Sequence, residues 1–128
     1  MASFMAPYSA QAYALMRIMV GFLFLWHGSQ KVFGFPGGMM EMPEAIRWSA
    51  GPIELVGGLL VMIGLQTRWA AFLASGTMAV AYWIGHGTKA FLPVENGGEL
   101  AALYCFAFLF ISAHGSGIWS VDGAGAKG

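Results

Sequence analysis

From Tyr13 to Phe33 the chain is apolar but for Arg17 and a polar cluster from His27 to Lys31. Wound as an α-helix at about 1.5 Å per residue, this run reaches roughly 31 Å, enough to cross the hydrocarbon core of a bilayer. No other feature limits the fold so much. Three further apolar runs, 48–65, 69–85 and 99–113, repeat the theme. The expectation is an all-α membrane protein, a four-helix bundle occupying 1–128 as a single domain.

Composition agrees. Of 128 residues, 58% are hydrophobic and 9% charged, whereas a soluble domain carries about a quarter charged residues. The net charge is zero and the six Lys and Arg are scattered, so nothing points to nucleic acid. The single cysteine, Cys105, lies within the last apolar run and reads as a small packing residue. Residues 1–12 hold no basic residue and no cleavage site follows the first run, so that helix is expected to serve as an uncleaved anchor.

Helical spacing puts Arg17, Gly21, Phe24, Gly28 and Lys31 on one face of the first helix, which should meet protein; Phe22, Leu25 and Trp26 should face outward. Residues 34–47 read as a loop, in which Met42–Ser49 has a second reading as a short helix lying at the membrane interface. The second helix has two readings. It starts near Ala45 with Pro52 inside it, or it starts at Pro52 with Glu54 in its first turn. Ala71, Ser75 and Ala79 form a small-residue stripe on the third helix, suited to close helix contact and permitting a homo-oligomer. The tail is expected to run out through Trp119-Ser120-Val121-Asp122.

An echo organises the chain. His27-Gly28-Ser29-Gln30-Lys31-Val32-Phe33 reappears, one residue shorter, as His86-Gly87-Thr88-Lys89-Ala90-Phe91. Gly51-Pro52-Ile53-Glu54-Leu55 follows the first copy and Gly97-Gly98-Glu99-Leu100 the second. Two helix pairs running in the same sense form a parallel repeat about an axis along the membrane normal. Four crossings then gather His27, Lys31, Glu54, His86, Lys89 and Glu99 on one membrane side. They are expected to share one polar pocket, with Lys31 and Lys89 neutralising Glu54 and Glu99, since carboxylates near hydrocarbon need partners.

Such residues admit several chemistries. Glu54, Glu99, His27 and His86 could handle protons, since His titrates near neutral pH, or bind a quinone head group. Trp26, Phe33 and Trp83, with Lys31 and Lys89, could border a planar hydrophobic ligand such as a quinone ring. Two histidines could also hold haem iron, a weaker reading; the plainest is that they are interfacial packing residues that hydrogen-bond a loop carbonyl. The four-helix di-metal pattern, Glu-x-x-His twice, is absent, and so are Cys-x-x-Cys, Gly-x-Gly-x-x-Gly and the P-loop. No metal site is expected. The plainer alternatives are ion pairs that fix helix register, in a scaffold or lipid-binding subunit, or a small oligomeric transporter. Lys31, Arg47 and Lys89 on the pocket side face Arg17, Arg68 and Lys127 on the other. Discounting Lys31 and Lys89 as pocket residues leaves the termini side the more basic, hence cytoplasmic.

The ordered set Arg17-x-x-x-Gly21, His27-Gly28-x-x-Lys31, Glu54-x-x-Gly57-Gly58, Gly64-x-x-Thr67-Arg68, Gly115-x-Gly117 and Ser120-Val121-Asp122 resembles the DoxX family of small bacterial membrane proteins, over about residues 13–122. The resemblance implies a multi-pass, four-helix protein of the inner membrane with both termini cytoplasmic. The family takes its name from a subunit linked to a terminal quinol oxidase, and relatives are associated with thiosulfate:quinone oxidoreduction and thiol redox homeostasis. It therefore implies a subunit of a quinone-linked oxidoreductase or thiol-redox complex, with membrane redox proteins as partners. His27, Lys31, Glu54 and Arg68 fall on the family's recurring positions; His86 and Glu99 come from the internal echo.

Overall fold

The computed structural model describes residues 3–38 and 41–125. Helix α1 (Ser9–Phe33) is entered through a 3-10 turn, Ala6–Tyr8. Helix α2 (Glu44–Ile63) follows, then α3 (Thr67–Tyr82), which continues through one π-helical turn, Trp83–Gly87. A short α4 (Pro93–Asn96) leads into α5 (Glu99–His114), and α6 (Val121–Gly125) closes the chain. The described residues hold no strand. Among the described residues, two helices are long and apolar enough to cross a membrane, Ala6–Phe33 and Glu44–Ile63; α5 is apolar but shorter.

The helices associate as α1 with α2 and α3 with α5, the pairs meeting chiefly through α2 and α3. Glycines set the first contact. A Cβ on Gly21 would lie 2.5 Å from the Met62 nitrogen, and one on Gly58 2.5 Å from that of Leu25. Only hydrogen side chains let these backbones come so close, as happens where lipid supplies no hydrophobic drive between helices. The expected inward face holds: Arg17, Gly21, Phe24 and Gly28 are buried and Lys31 is half-buried. In the second pair Ala71 and Ser75 are buried, and the Ser75 hydroxyl donates to the Cys105 carbonyl at 2.7 Å. Side chains bridge the pairs. Phe24 packs on Phe108 and Tyr104, with ring centroids 4.6 and 5.2 Å apart.

Of the two readings of α2, the structure takes the longer. The helix begins at Glu44, so Pro52 is internal and brings no N–H to the Trp48 carbonyl. The expected loop thus ends at Pro43. Arg47 anchors the extra turns, donating from Nη1 to the Lys31 carbonyl at 2.8 Å and pairing with Glu44 at 3.4 Å.

The tail does not run out. Arg17, fully buried, donates to the carbonyls of Val61 (3.1 Å), Ile118 (3.2 Å), Trp119 (2.8 Å) and Ser116. These carbonyls belong to the end of α2 and the segment after α5, where helix dipoles favour a cation. Asp122 then caps α3 from 55 residues away, accepting from the Thr67 and Gln66 backbone N–H groups at 3.0 and 3.1 Å. Those two donors, Thr67 first, hold its carboxyl below the usual aspartate range. Arg68 adds bonds to the Ser112 and Ala113 carbonyls at the end of α5 (3.1 and 2.6 Å). The motifs at Arg17, Gly64–Arg68, Gly115–Gly117 and Ser120–Asp122 are therefore one knot that ties the chain end to the bundle.

Candidate functional site

At the opposite end of the bundle a cavity of about 230 Å³ opens between the helix pairs. Its polar lining comes from four elements: His27 and Lys31 on α1, Glu54 on α2, His86 on the π turn and Tyr104 on α5. Phe24, Met78, Ala81, Leu100 and Ala101 supply the apolar walls.

The floor is an ion pair. Lys31 Nζ lies 2.7 and 2.6 Å from the two Glu54 carboxylate oxygens. Glu54 is 1% exposed, so its charge is held by this partner alone among the described ion pairs. Gly28 makes the meeting possible. It sits one turn before Lys31 and packs against the backbone of Glu54 and Leu55, where a Cβ would not fit.

His27 meets Tyr104 edge to face at 5.8 Å. Tyr104 is 5% exposed, and its buried hydroxyl has no hydrogen-bond partner among the described residues. A buried orphan hydroxyl is costly, and the tyrosine that carries it is one of the cavity's lining residues. His86 is oriented by Asn96: its Nδ1 lies 3.1 Å from the Asn96 carbonyl. A carbonyl only accepts, so Nδ1 carries the proton and Nε2 of the neutral ring remains an acceptor. Asn96 is itself fixed, donating to Tyr82 Oη (2.9 Å) and the Ala90 carbonyl (3.1 Å), and accepting from Gly98 N–H at 2.8 Å. Single π turns recur at functional sites, and here one carries His86 to the pocket.

The echo is only half realised. His27, Lys31, Glu54 and His86 come together as the spacing implied. Lys89 and Glu99 do not: both are exposed, and the ion pairs among the described residues are Lys31–Glu54 and Arg47–Glu44. Lys89 lies in a turn beyond Gly87, where the π turn ends, so it has no counterpart to the helical face that Lys31 holds, and Glu99 opens α5 only after the intervening α4. The aromatic border is also different. Phe33 and Trp83 are exposed at 67% and 64%, and Trp26 packs on Phe22 and Phe35 at ring distances of 6.1 and 6.0 Å. Tyr104 and Asn96 were not singled out from sequence. A lone tyrosine inside an otherwise apolar run was the available signal, since a buried Tyr hydroxyl normally seeks a partner.

A cavity of about 230 Å³ falls below the roughly 300 Å³ at which sites for drug-sized ligands begin. It has room for one small ring and none for a porphyrin. Among the described residues, no three His, Cys, Asp or Glu side chains cluster as metal ligands.

The DoxX family profile matches residues 12–87, which takes in Arg17, His27, Lys31, Glu54, Arg68 and His86 but stops short of Tyr104. An uncharacterized protein of Haemophilus influenzae is 40% identical over 116 residues, covering 85% of this chain and 87% of its own length. "Putative oxidoreductase CatD" of Bacillus subtilis is 29% identical over 113 residues, 84% of this chain and 82% of its own length. No solved structure gives a significant match. With a profile covering more than half its length, this chain belongs to the membrane-associated DoxX family.

Proposed function

We propose that this chain is a multi-pass subunit of a quinone-linked membrane oxidoreductase, in which the Tyr104 pocket holds the quinone head group. One observation carries the reading: a buried, unpartnered hydroxyl beside a complete carboxylate–ammonium pair, in a cavity sized for one ring. A quinone carbonyl would accept from the Tyr104 hydroxyl. His27 and the Lys31–Glu54 pair stand ready to pass protons to the reduced ring, and the His86 Nε2 acceptor suits the hydroxyl of the quinol form. Electrons come from a redox partner in the complex. The name of the Bacillus subtilis relative points the same way. We place the four apolar segments across the bacterial inner membrane with both termini cytoplasmic. That orientation rests on family resemblance, because Lys89 is exposed and cannot be discounted from the charge count, while Lys127 lies outside the described residues.

The test is mass spectrometry of small molecules that co-purify with the protein in mild detergent. One quinone per chain is expected for the native protein. Tyr104→Phe should retain about tenfold less, the equivalent of one lost hydrogen bond. Bulk lipid alone in both preparations would refute the reading. It would favour a second one, a non-catalytic scaffold in which Lys31–Glu54 simply staples α1 to α2, the role its bidentate contact already fills.

A further inference from the structure

One residue, Ala81, lines two cavities. Beside the polar pocket, an apolar groove of about 580 Å³ runs between α2 and α3, walled by Ile46, Ile53, Phe72, Leu73, Thr77 and Val80. Ala81 lines both spaces. So does one step of α2: Ile53 faces the groove and the next residue, Glu54, lines the pocket. Phe72, Leu73 and Val80 are exposed, so the groove opens onto the face that lipid would cover. At Gly76, also in its wall, an added Cβ would meet nothing within 4 Å.

We propose that groove and pocket are one site for an uncharged, membrane-dissolved amphiphile. Its apolar tail lies between α2 and α3, and its carbonyl-bearing head passes Ala81 to the Tyr104 hydroxyl. This rests on the quinone reading of the pocket and adds the route of entry and the selection for a tailed ligand. Three features support it. The orphan hydroxyl calls for an acceptor from outside the chain. Lys31 is matched by Glu54 with both oxygens, so the pocket presents no free ammonium to a phosphate, which selects a neutral head over a phospholipid. The one residue common to both linings, Ala81, is small, so the wall between the apolar space and the polar one is thin there and offers the shortest way in from the bilayer.

The experiment uses the full chain in phosphatidylcholine nanodiscs and a benzoquinone whose decyl tail ends in a diazirine. After photolysis, peptide mass spectrometry should find the label concentrated on Phe72–Thr77. Gly76→Leu fills the groove without a backbone clash and should lower that labelling about tenfold, while the affinity for tail-free benzoquinone stays unchanged. Ala81→Phe, if it folds, should admit the tail-free ring and exclude the tailed probe; if it does not fold, Gly76→Leu decides. Labelling spread around all exposed apolar faces and indifferent to Gly76→Leu would mean that the groove holds bulk lipid, and would overturn the proposal. Failure of the tail-free ring to bind the native chain would overturn the quinone reading itself. Binding of that ring without groove labelling would overturn only the entry route.

Discussion

Removing one partner of the Lys31–Glu54 pair strands the other in a buried place. Lys31→Met should cost roughly 3–5 kcal/mol, the usual penalty for an uncompensated buried charge. The double variant Lys31→Met/Glu54→Gln leaves no charge to strand and should recover most of that loss. Thermal unfolding in one detergent compares the two, and a double variant as unstable as the single would contradict the pairing. Asp122 makes a different residue-scale prediction. Its folded pKa is lowered by the Thr67 and Gln66 N–H groups, so its stabilisation is complete above the ordinary aspartate value of about 3.9. The stabilisation disappears as pH falls through the depressed folded value. Asp122→Asn should therefore lower the unfolding temperature at neutral pH, and the gap to the native protein should narrow in acid below about pH 3.9. Because the carboxylate is largely solvated, the effect should stay near the low end of a helix cap, roughly 0.5 kcal/mol.

Element by element, the pairing of α1 with α2 depends on particular glycines and ignores others. Gly57 and Gly58 are adjacent and both buried, yet a Cβ on Gly57 meets nothing within 4 Å while one on Gly58 would press on the α1 backbone. Gly58→Ala should lose about 1–3 kcal/mol through overpacking, and Gly57→Ala should be neutral or gain up to about 1 kcal/mol from helix propensity. Chemical unfolding of the two variants side by side checks this, and equal effects would mean the close approach is absent. The same level shows what the sequence could and could not convey. The inward stripe of α1 was legible because 3.6-residue spacing places Arg17, Gly21, Phe24 and Gly28 on one face whatever surrounds them. The early start of α2 was open, since Pro52 fits either a first turn or an interior. The π turn at Trp83–Gly87 was not legible at all, and with it went the position of Lys89. One extra residue in a helical turn rotates everything beyond it, and no local pattern announces that insertion.

Across the whole molecule, two polar assemblies sit at opposite ends of an apolar bundle. One is the knot of Arg17, Arg68 and Asp122 that fastens the chain end, and the other is the pocket of His27, Lys31, Glu54, His86 and Tyr104. The meeting of His27, Lys31, Glu54 and His86 was legible because successive long helices reverse direction, which returns the ends of α1 and α3 and the start of α2 to one end of the bundle. The knot was not legible because carbonyl groups, Arg17's partners, leave no mark in a sequence. This separation yields the last prediction. Gln66, in the turn between α2 and α3, and Glu95, on α4, are both exposed and belong to opposite ends. In a Cys105→Ala background, a cysteine at Glu95 should react with a membrane-impermeant maleimide added to cells whose outer barrier is open. A cysteine at Gln66 should react only after the inner membrane is permeabilised. The reverse pattern would keep the fold and invert the orientation, moving the pocket to the cytoplasmic face. Reaction of both sites from outside would mean that the bundle does not span the bilayer, and the pocket would then draw its ligand from water, with no role for the groove between α2 and α3.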